Sequence, residues 1–149
     1  MRPVAIVTDS THYTTRGLID AAGVREVSLY IADAGGSRRE SEVTDYDAFY
    51  AQLRLQATLP TTSQPSIGDF LGAYQPLLAD GCDVVSIHLA GGISGTVGTA
   101  AAAKALLDEQ GIDGRVEVYD ARTACGGLGC VVLAAAAAAR GGADVDGVL

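Results

Sequence analysis

The sequence is poor in basic residues, and this scarcity excludes one large class of partners. It contains 10 lysines and arginines against 18 aspartates and glutamates, which gives a formal net charge of −8. Proteins that bind nucleic acid need a basic stripe to neutralise phosphates. We therefore expect no nucleic-acid partner.

Long apolar runs and paired cysteines are also lacking. The longest apolar run, residues 130–139, is far shorter than the ~20 residues of a membrane span, so none is expected. Residues 1–3 lead straight into a strand-like run, which argues against a signal peptide. Cys82, Cys125 and Cys130 fit no metal-ligand or disulfide spacing, so we predict buried free thiols in a reducing cytoplasm.

What remains is an apolar, glycine-rich chain that alternates between strand and helix patterns. Its 149 residues suffice for one domain, and 48% of them are apolar. We predict strands over residues 4–7, 24–32, 82–89 and 115–119, and helices over 14–22, from 44 to about 58, 66–79, 96–110 and 127–139. This alternation predicts a three-layer α/β/α fold with a mostly parallel sheet.

Two details of this prediction can be checked individually. Thr44, with Asp47 three residues later, is predicted to cap a helix whose residues Tyr46, Phe49, Tyr50 and Leu53 form a core-facing stripe. Residues 34–42 are predicted to be a polar loop. Residues 144–149 are too few for a helix that is stable alone, so we expect either that the chain is the first part of a longer protein or that it ends in a frayed tail.

Small polar residues cluster where several predicted elements meet. In an α/β sheet, ligands bind beyond the carboxyl ends of the strands, and hydroxyls with free N–H groups at helix starts hold small anions. Each cluster alone is better explained as a helix cap, whereas the convergence of several clusters on one edge favours a ligand site. The four clusters are Thr8-Asp9-Ser10, residues 61–66, Ser94-Gly95-Thr96 and Asp120.

Other chemistries receive weaker support. The run Gly92-Ile93-Ser94-Gly95-Thr96 lacks the second glycine of the hydrolase motif G-x-S-x-G, and no lysine follows it as in a phosphate-binding P-loop. His88 lies inside a predicted strand and is expected in the core, whereas His12 is expected on a surface loop. Asp9 and Asp120 lack a neighbouring histidine, so no metal and no cofactor is predicted.

These segments resemble those of the DegV family of bacterial fatty-acid-binding proteins. The most specific match is the run Pro60-Thr61-Thr62-Ser63-Gln64-Pro65-Ser66-Ile67-Gly68-Asp69-Phe70. Weaker matches, in the same order as in the family, are Val7-Thr8-Asp9-Ser10, Ser86-Ile87-His88-Leu89, Ile93-Ser94-Gly95-Thr96, Val118-Tyr119-Asp120 and Gly127-Leu128-Gly129.

The resemblance implies the first lobe, residues 1–149, of a two-lobed carrier that binds one long-chain fatty acid and is not an enzyme. Thr62, helped by Ser63, and Ser94 would hold the carboxylate. The loops that carry Asp9, Ser10, Gly95, Thr96 and Asp120 would support them. The carrier would present the acid to a separate ATP-dependent fatty-acid kinase for phospholipid synthesis.

Several features depart from the family pattern. Family members are nearly twice as long, and their second lobe places basic and imidazole groups near the carboxylate. An isolated first lobe exposes part of the pocket, which favours self-association or loss of ligand. Residues 90–92 and 120–122 are also less polar than is usual in the family. Two other hypotheses stay open: an enzyme acting on a small phospho-sugar or ester through Ser94 and Asp9, and a regulatory module with a vestigial site.

Overall fold

The computed structural model describes residues 2–149. In chain order its elements are β1 (Val4–Asp9), α1 (Arg16–Ala22), β2 (Arg25–Val27), β3 (Tyr30–Asp33), β4 (Gly36–Arg39), α2 (Tyr46–Leu53), β5 (Thr61–Ser63), α3 (Ile67–Ala79), β6 (Asp83–His88), α4 (Thr96–Glu109), β7 (Val116–Asp120), α5 (Cys125–Arg140) and α6 (Val145–Val148). Short 3-10 turns lie at Ser10–His12 and Glu40–Glu42.

A four-stranded parallel sheet forms the centre of the molecule, as predicted. Its strand order is β2-β1-β6-β7, with Val7 of β1 aligned to Ser86 of β6. Successive residues of a strand point to opposite faces, so Val84 and Val85 enter different cores. Helices α1, α5 and α6 cover one face, and α3 and α4 cover the other. The three-layer prediction is therefore confirmed.

The predicted strand over residues 24–32 is wrong, because it is two strands in two sheets. The Ser28 hydroxyl donates to the Leu29 carbonyl, and the Leu29 amide donates to the Ser10 hydroxyl, so side chains take the place of ladder bonds at this bend. Beyond it, a small antiparallel sheet has the order β4-β3-β5. The predicted loop over 34–42 thus contains β4, and residues 61–63 form a short strand.

Helix α2 departs from the prediction in its cap and in its burial. Asp45, not Thr44, is the cap, since its carboxylate accepts from the Ala48 amide at 2.9 Å. The predicted core-facing stripe is also wrong. No residue of α2 is buried, and Tyr46 and Tyr50 are 43% and 52% exposed. The helix lies outside both cores, and its aromatic rings contact one another and Tyr13 instead.

The cysteines are unpaired, as predicted, but the prediction that they are buried is wrong. Cys82 is half-buried, while Cys125 and Cys130 are exposed. The reason is the register of α5, whose buried face is formed by Leu128, Val132 and the alanines that follow. Within residues 2–149, no helix combines the length and apolarity needed to cross a bilayer.

Candidate functional site

The topology of the central sheet places the candidate site at one point on its edge. Strands β1 and β6 are neighbours, and the chain proceeds from them in opposite directions, to β2 and to β7. In open α/β sheets, ligands bind beyond the carboxyl ends of the strands at such a switch point. The segments that leave this point begin at Ser10, after β1, and at Leu89, after β6.

The first hydroxyl segment, β5, lies on the small sheet. It pairs with β3, so that Thr62 lies opposite Ile31 and Ser63 opposite Tyr30. All three residues of β5 are exposed to solvent. The following turn starts α3 with the predicted cap, because the Ser66 hydroxyl accepts from the Asp69 amide at 3.1 Å. Ser66 is therefore engaged in the fold, while Thr62 and Ser63 are accessible.

Asp69 holds this segment in place. Its carboxylate accepts from the Ser66 amide at 2.9 Å, from the Arg39 guanidinium at 2.7 Å and from the Tyr30 hydroxyl at 3.0 Å. Burial by itself would raise the pKa of Asp69, but the hydrogen bonds from Ser66, Arg39 and Tyr30 lower it to about 2. An ionised Asp69 thus joins the start of α3 to strands β3 and β4.

The second hydroxyl segment connects β6 to α4. Ser94 is half-buried, and its hydroxyl lies 2.8 Å from the hydroxyl of the fully buried Thr96. Asp120, at the end of β7, accepts from the amides of Gly91 at 3.2 Å and Arg122 at 2.8 Å. Asp120 and Thr96 therefore support this loop from its two ends. Thr96 cannot itself face a ligand.

The side chain of Gln64 brings the two hydroxyl segments together. A methyl group added at Gly95 would lie 2.8 Å from the Gln64 side-chain nitrogen, closer than the two atoms can approach. Gln64 follows β5 directly, and Gly95 follows Ser94. Gln64 and Gly95 are thus in van der Waals contact, although Gln64 follows a strand of the small sheet and Gly95 lies in a loop that follows a strand of the central sheet.

Asp9, at the end of β1, is buried. Its carboxylate accepts from the Leu89 amide at 3.0 Å and from the Thr11 hydroxyl at 2.6 Å, and it bonds to the His88 ring at 3.0 Å. Burial would raise the pKa of Asp9, but these hydrogen bonds lower it below its usual range. Asp9 has no exposed surface, so a joint catalytic role with Ser94 is not favoured.

His88 is buried, as predicted, and it joins a chain of polar groups that sequence reasoning missed. Its Nε2 lies 2.7 Å from the Ser86 hydroxyl, which in turn accepts from the Tyr74 hydroxyl at 2.7 Å. Ser86, His88 and Asp9 have the connectivity of a hydrolase triad. All three are completely inaccessible, however, so no substrate can reach the serine. Ser86 and His88 were detectable as two polar residues on one face of an apolar strand.

Ser10 lies apart from the two hydroxyl segments. Its hydroxyl donates to Glu40 in the interior, where Glu40 also accepts from Tyr13 at 2.7 Å. Ser10 lines a cavity of about 600 Å³ next to α2 that includes neither Thr62 nor Ser94. The walls of this cavity carry hydroxyls, tyrosine rings and the ion pair of Arg16 with Glu26.

His12 also lines this cavity, and its prediction as a surface residue is wrong. It is 4% exposed, because the turn that carries it packs beneath α5 at Gly129. Its Nδ1 accepts from the Thr14 amide, so its Nε2 carries the proton that is donated to Glu26 at 2.8 Å. Among residues 2–149, no group of three or more His, Cys, Asp or Glu side chains is arranged to hold a metal ion.

Sequence comparisons identify relatives along almost the whole chain. Residues 3–149 match a family model described as "Uncharacterised protein, DegV family". Protein DegV of Bacillus subtilis is 36% identical over 141 residues, which are 95% of this chain and 49% of the relative. A DegV domain-containing protein of Deinococcus radiodurans is 37% identical over 146 residues, 98% of this chain and 50% of the relative.

Comparisons with solved structures agree. A fatty-acid-binding DegV family protein from Thermus thermophilus has a TM-score of 0.86 and 36% identity, over 99% of this chain and 51% of that protein. DegV from Bacillus subtilis, described as a fatty acid binding protein, has a TM-score of 0.86 and 32% identity, again over 99% and 51%. The chain therefore spans about half the length of the relatives it matches.

Proposed function

The chain belongs to the DegV family, and on that premise we propose that it binds the carboxylate of a long-chain fatty acid through Thr62, Ser63 and Ser94. The observation that carries this proposal is the contact between Gln64 and Gly95, which holds two accessible hydroxyl segments side by side. Solved relatives from Thermus thermophilus and Bacillus subtilis are described as fatty-acid-binding.

Neutral groups supply the hydrogen bonds in this proposal. When the Thr96 hydroxyl donates to Ser94, the Ser94 hydrogen is free to point at a carboxylate oxygen. The first turn of α4 adds amide N–H groups that lack carbonyl partners within the helix, and the positive end of its dipole favours an anion. Preorganised donors of this kind bind a carboxylate strongly because the hydrogen bonds are charge-assisted.

The surroundings of the site call for a further contribution from outside this chain. Asp120 places a carboxylate on the same edge of the sheet, and the net charge is −8, so an anion experiences repulsion. The cavity beside α2 includes neither Thr62 nor Ser94, so we do not assign the acyl tail to it. In our proposal, the second half found in relatives supplies the basic groups and the apolar tunnel.

The acyl chain would provide most of the binding free energy. Burying one CH₂ group contributes about 0.8 kcal/mol, so a C16–C18 chain contributes on the order of 10 kcal/mol before the cost of association. We propose that the bound acid is presented to a separate ATP-dependent kinase for phospholipid synthesis. The protein would then be a carrier and not an enzyme, working in the cytoplasm, where its unpaired thiols stay reduced.

Native and denaturing mass spectrometry of the purified chain test the proposal first. We expect a mass excess of one fatty acid that disappears on denaturation. The double variant Thr62→Ala/Ser94→Ala should lose this ligand. Thr44→Ala, which removes an exposed hydroxyl away from both segments, should retain it. Equal lipid retention in the double variant and in the wild type would overturn the assignment of these residues.

The second half of the protein can be supplied when the chain alone carries no ligand. In a hybrid, residues 1–149 replace the matching half of Bacillus subtilis DegV, to which they are 36% identical. The hybrid should bind oleate or palmitate, and the double substitution should again abolish binding. A folded hybrid that cannot be loaded with either acid would refute fatty-acid binding by this chain.

A further inference from the structure

We propose that the buried hydrogen-bonded chain of Tyr74, Ser86, His88 and Asp9 positions the carboxylate-binding hydroxyls, so that these four are positioning residues for the ligand. The inference rests on the proposed function. It adds residues that never touch the ligand and nonetheless determine its affinity. Three observations carry it: the direction of the hydrogen bonds, the elements they join and the complete burial of the chain.

The hydrogen bonds run in one direction with no conflict. The Tyr74 hydroxyl donates to Ser86 at 2.7 Å, the Ser86 hydroxyl lies 2.7 Å from His88 Nε2, and His88 Nδ1 lies 3.0 Å from the Asp9 carboxylate. A His88 ring with its hydrogen on Nδ1 donates to Asp9 and leaves Nε2 to accept from Ser86, so this tautomer satisfies every position. This hydrogen-bonded chain ends at the Asp9 carboxylate, which also accepts from the Thr11 amide and hydroxyl and from the Leu89 amide.

The hydrogen-bonded chain joins α3, β6 and β1, and two of these, α3 and β6, adjoin the segments of the candidate site. Tyr74 lies on α3, which begins directly after the segment with Thr62 and Ser63. His88 ends β6, and the next residue, Leu89, is where the Ser94 loop begins. The Phe70 ring, also on α3, packs edge-on against His88 with centroids 5.1 Å apart. A shift of α3 relative to β6 would therefore break hydrogen bonds as well as aromatic packing.

Burial separates this arrangement both from a catalytic site and from ordinary apolar packing. All four side chains have no exposed surface, so the triad-like connectivity cannot serve a reaction. Apolar side chains of the same volume would fill the space without the desolvation penalty of a buried carboxylate. They would tolerate small displacements that hydrogen bonds do not. Fixed geometry between the two loops is what the polar chain adds.

Affinity for oleate, measured by isothermal titration calorimetry alongside urea unfolding, tests the inference. Asp9→Asn keeps the shape of the side chain, but the amide cannot accept all the hydrogen bonds that the carboxylate accepts from Leu89 and His88. It should weaken binding about tenfold, as expected for one lost hydrogen bond to a carboxylate. Tyr74→Phe removes a single hydroxyl and should weaken binding several-fold. Ser28→Ala, a buried hydroxyl outside the chain, should lower stability and leave affinity unchanged.

A double-mutant cycle separates positioning from general destabilisation. In a Ser94→Ala background, Asp9→Asn should weaken binding much less than in the wild type, because the hydroxyl it positions is gone. Amide hydrogen exchange of residues 90–95 should be faster in Asp9→Asn. Wild-type affinity in folded Asp9→Asn, or an equal loss in both backgrounds, would overturn the inference.

Two outcomes distinguish this inference from the proposed function. Failure of both the wild-type chain and the folded hybrid to bind oleate, or equal binding with and without Ser94→Ala in whichever of them binds, contradicts the proposed site itself. Binding that Ser94→Ala weakens and that neither Asp9→Asn nor Tyr74→Phe affects contradicts the positioning role alone. Should Asp9→Asn fail to fold, Tyr74→Phe decides the question, because it deletes one oxygen atom and retains the ring.

Discussion

Asp69 links α3 to the small sheet through its charge, and this makes stability depend on pH in a defined direction. The pKa of its carboxyl is about 2 in the folded protein, against an ordinary value of 3.8. The side chain of Asp69 is 10% exposed but that of Arg39 is 44% exposed, so solvent screens this ion pair in part. Because folding lowers the pKa, its contribution is fully present above pH 3.8 and is lost as the pH falls through 2. The gap between the two values corresponds to about 2 kcal/mol at neutral pH.

Urea unfolding of the wild type and of Asp69→Asn measures this contribution. At pH 7 the variant should have a free energy of unfolding about 2 kcal/mol lower, and the difference should shrink to roughly half at pH 3. Asp47→Asn, which neutralises an exposed carboxylate on α2, is the matched control and should show no such convergence. A difference between wild type and Asp69→Asn that is as large at pH 3 as at pH 7 would refute the reasoning.

Three further predictions concern packing and exposure. Thr8→Val should raise the free energy of unfolding by about 1 kcal/mol in urea titrations, since the buried Thr8 hydroxyl has no hydrogen-bond partner among residues 2–149; a loss of stability would contradict this. Gly129→Ala should lower the free energy of unfolding by about 1–3 kcal/mol and reduce Tm, because a methyl group there collides with the Thr14 hydroxyl. An unchanged Tm would show that the turn with Thr14 can shift without loss of stability. Iodoacetamide should label Cys125 and Cys130 rapidly in the native protein, as mass spectrometry of peptides will show, and protection of both would contradict their exposure.

The central sheet was predictable because strands that are buried on both faces are nearly continuous apolar runs in the sequence. Residues 84–87 are apolar except for Ser86, and all four are buried in β6. The start of α3 was equally readable, since Ser66 and Asp69 have the spacing of a capping box and form one. In both places one local pattern had one structural explanation.

The small sheet could not be predicted because its strands are short and mostly exposed. Strand β5 has three residues, all accessible, and β4 consists of polar residues and glycine. A run of that length shows no periodicity, and its pairing depends on β3, which is about 30 residues away from β5 in sequence. Sequence reasoning therefore predicts a loop for the segment that carries Thr62.

Helix α2 illustrates a different limit of sequence reasoning. Its apolar stripe correctly predicts a helix, but periodicity reveals an amphipathic face and not what covers it. Tyr46 and Tyr50 are about half exposed and line the cavity that Ser10 also lines. The observed cap is one residue later than the predicted one because Thr44 and Asp45 are both good caps. Only the backbone geometry at Asp45 decides between them.

The hydroxyls of the two segments fall into two groups, and this division is why we favour a ligand site over helix caps alone. Ser66 is engaged with Asp69, and Thr96 is buried against Ser94, so these two serve the fold. Thr62 and Ser63 are exposed in β5, and Ser94 remains half-accessible. In each segment one hydroxyl thus supports the start of the following helix, and at least one other stays accessible. Capping alone requires neither the accessible hydroxyls nor the contact between Gln64 and Gly95, whereas a carboxylate bound between the two segments requires both.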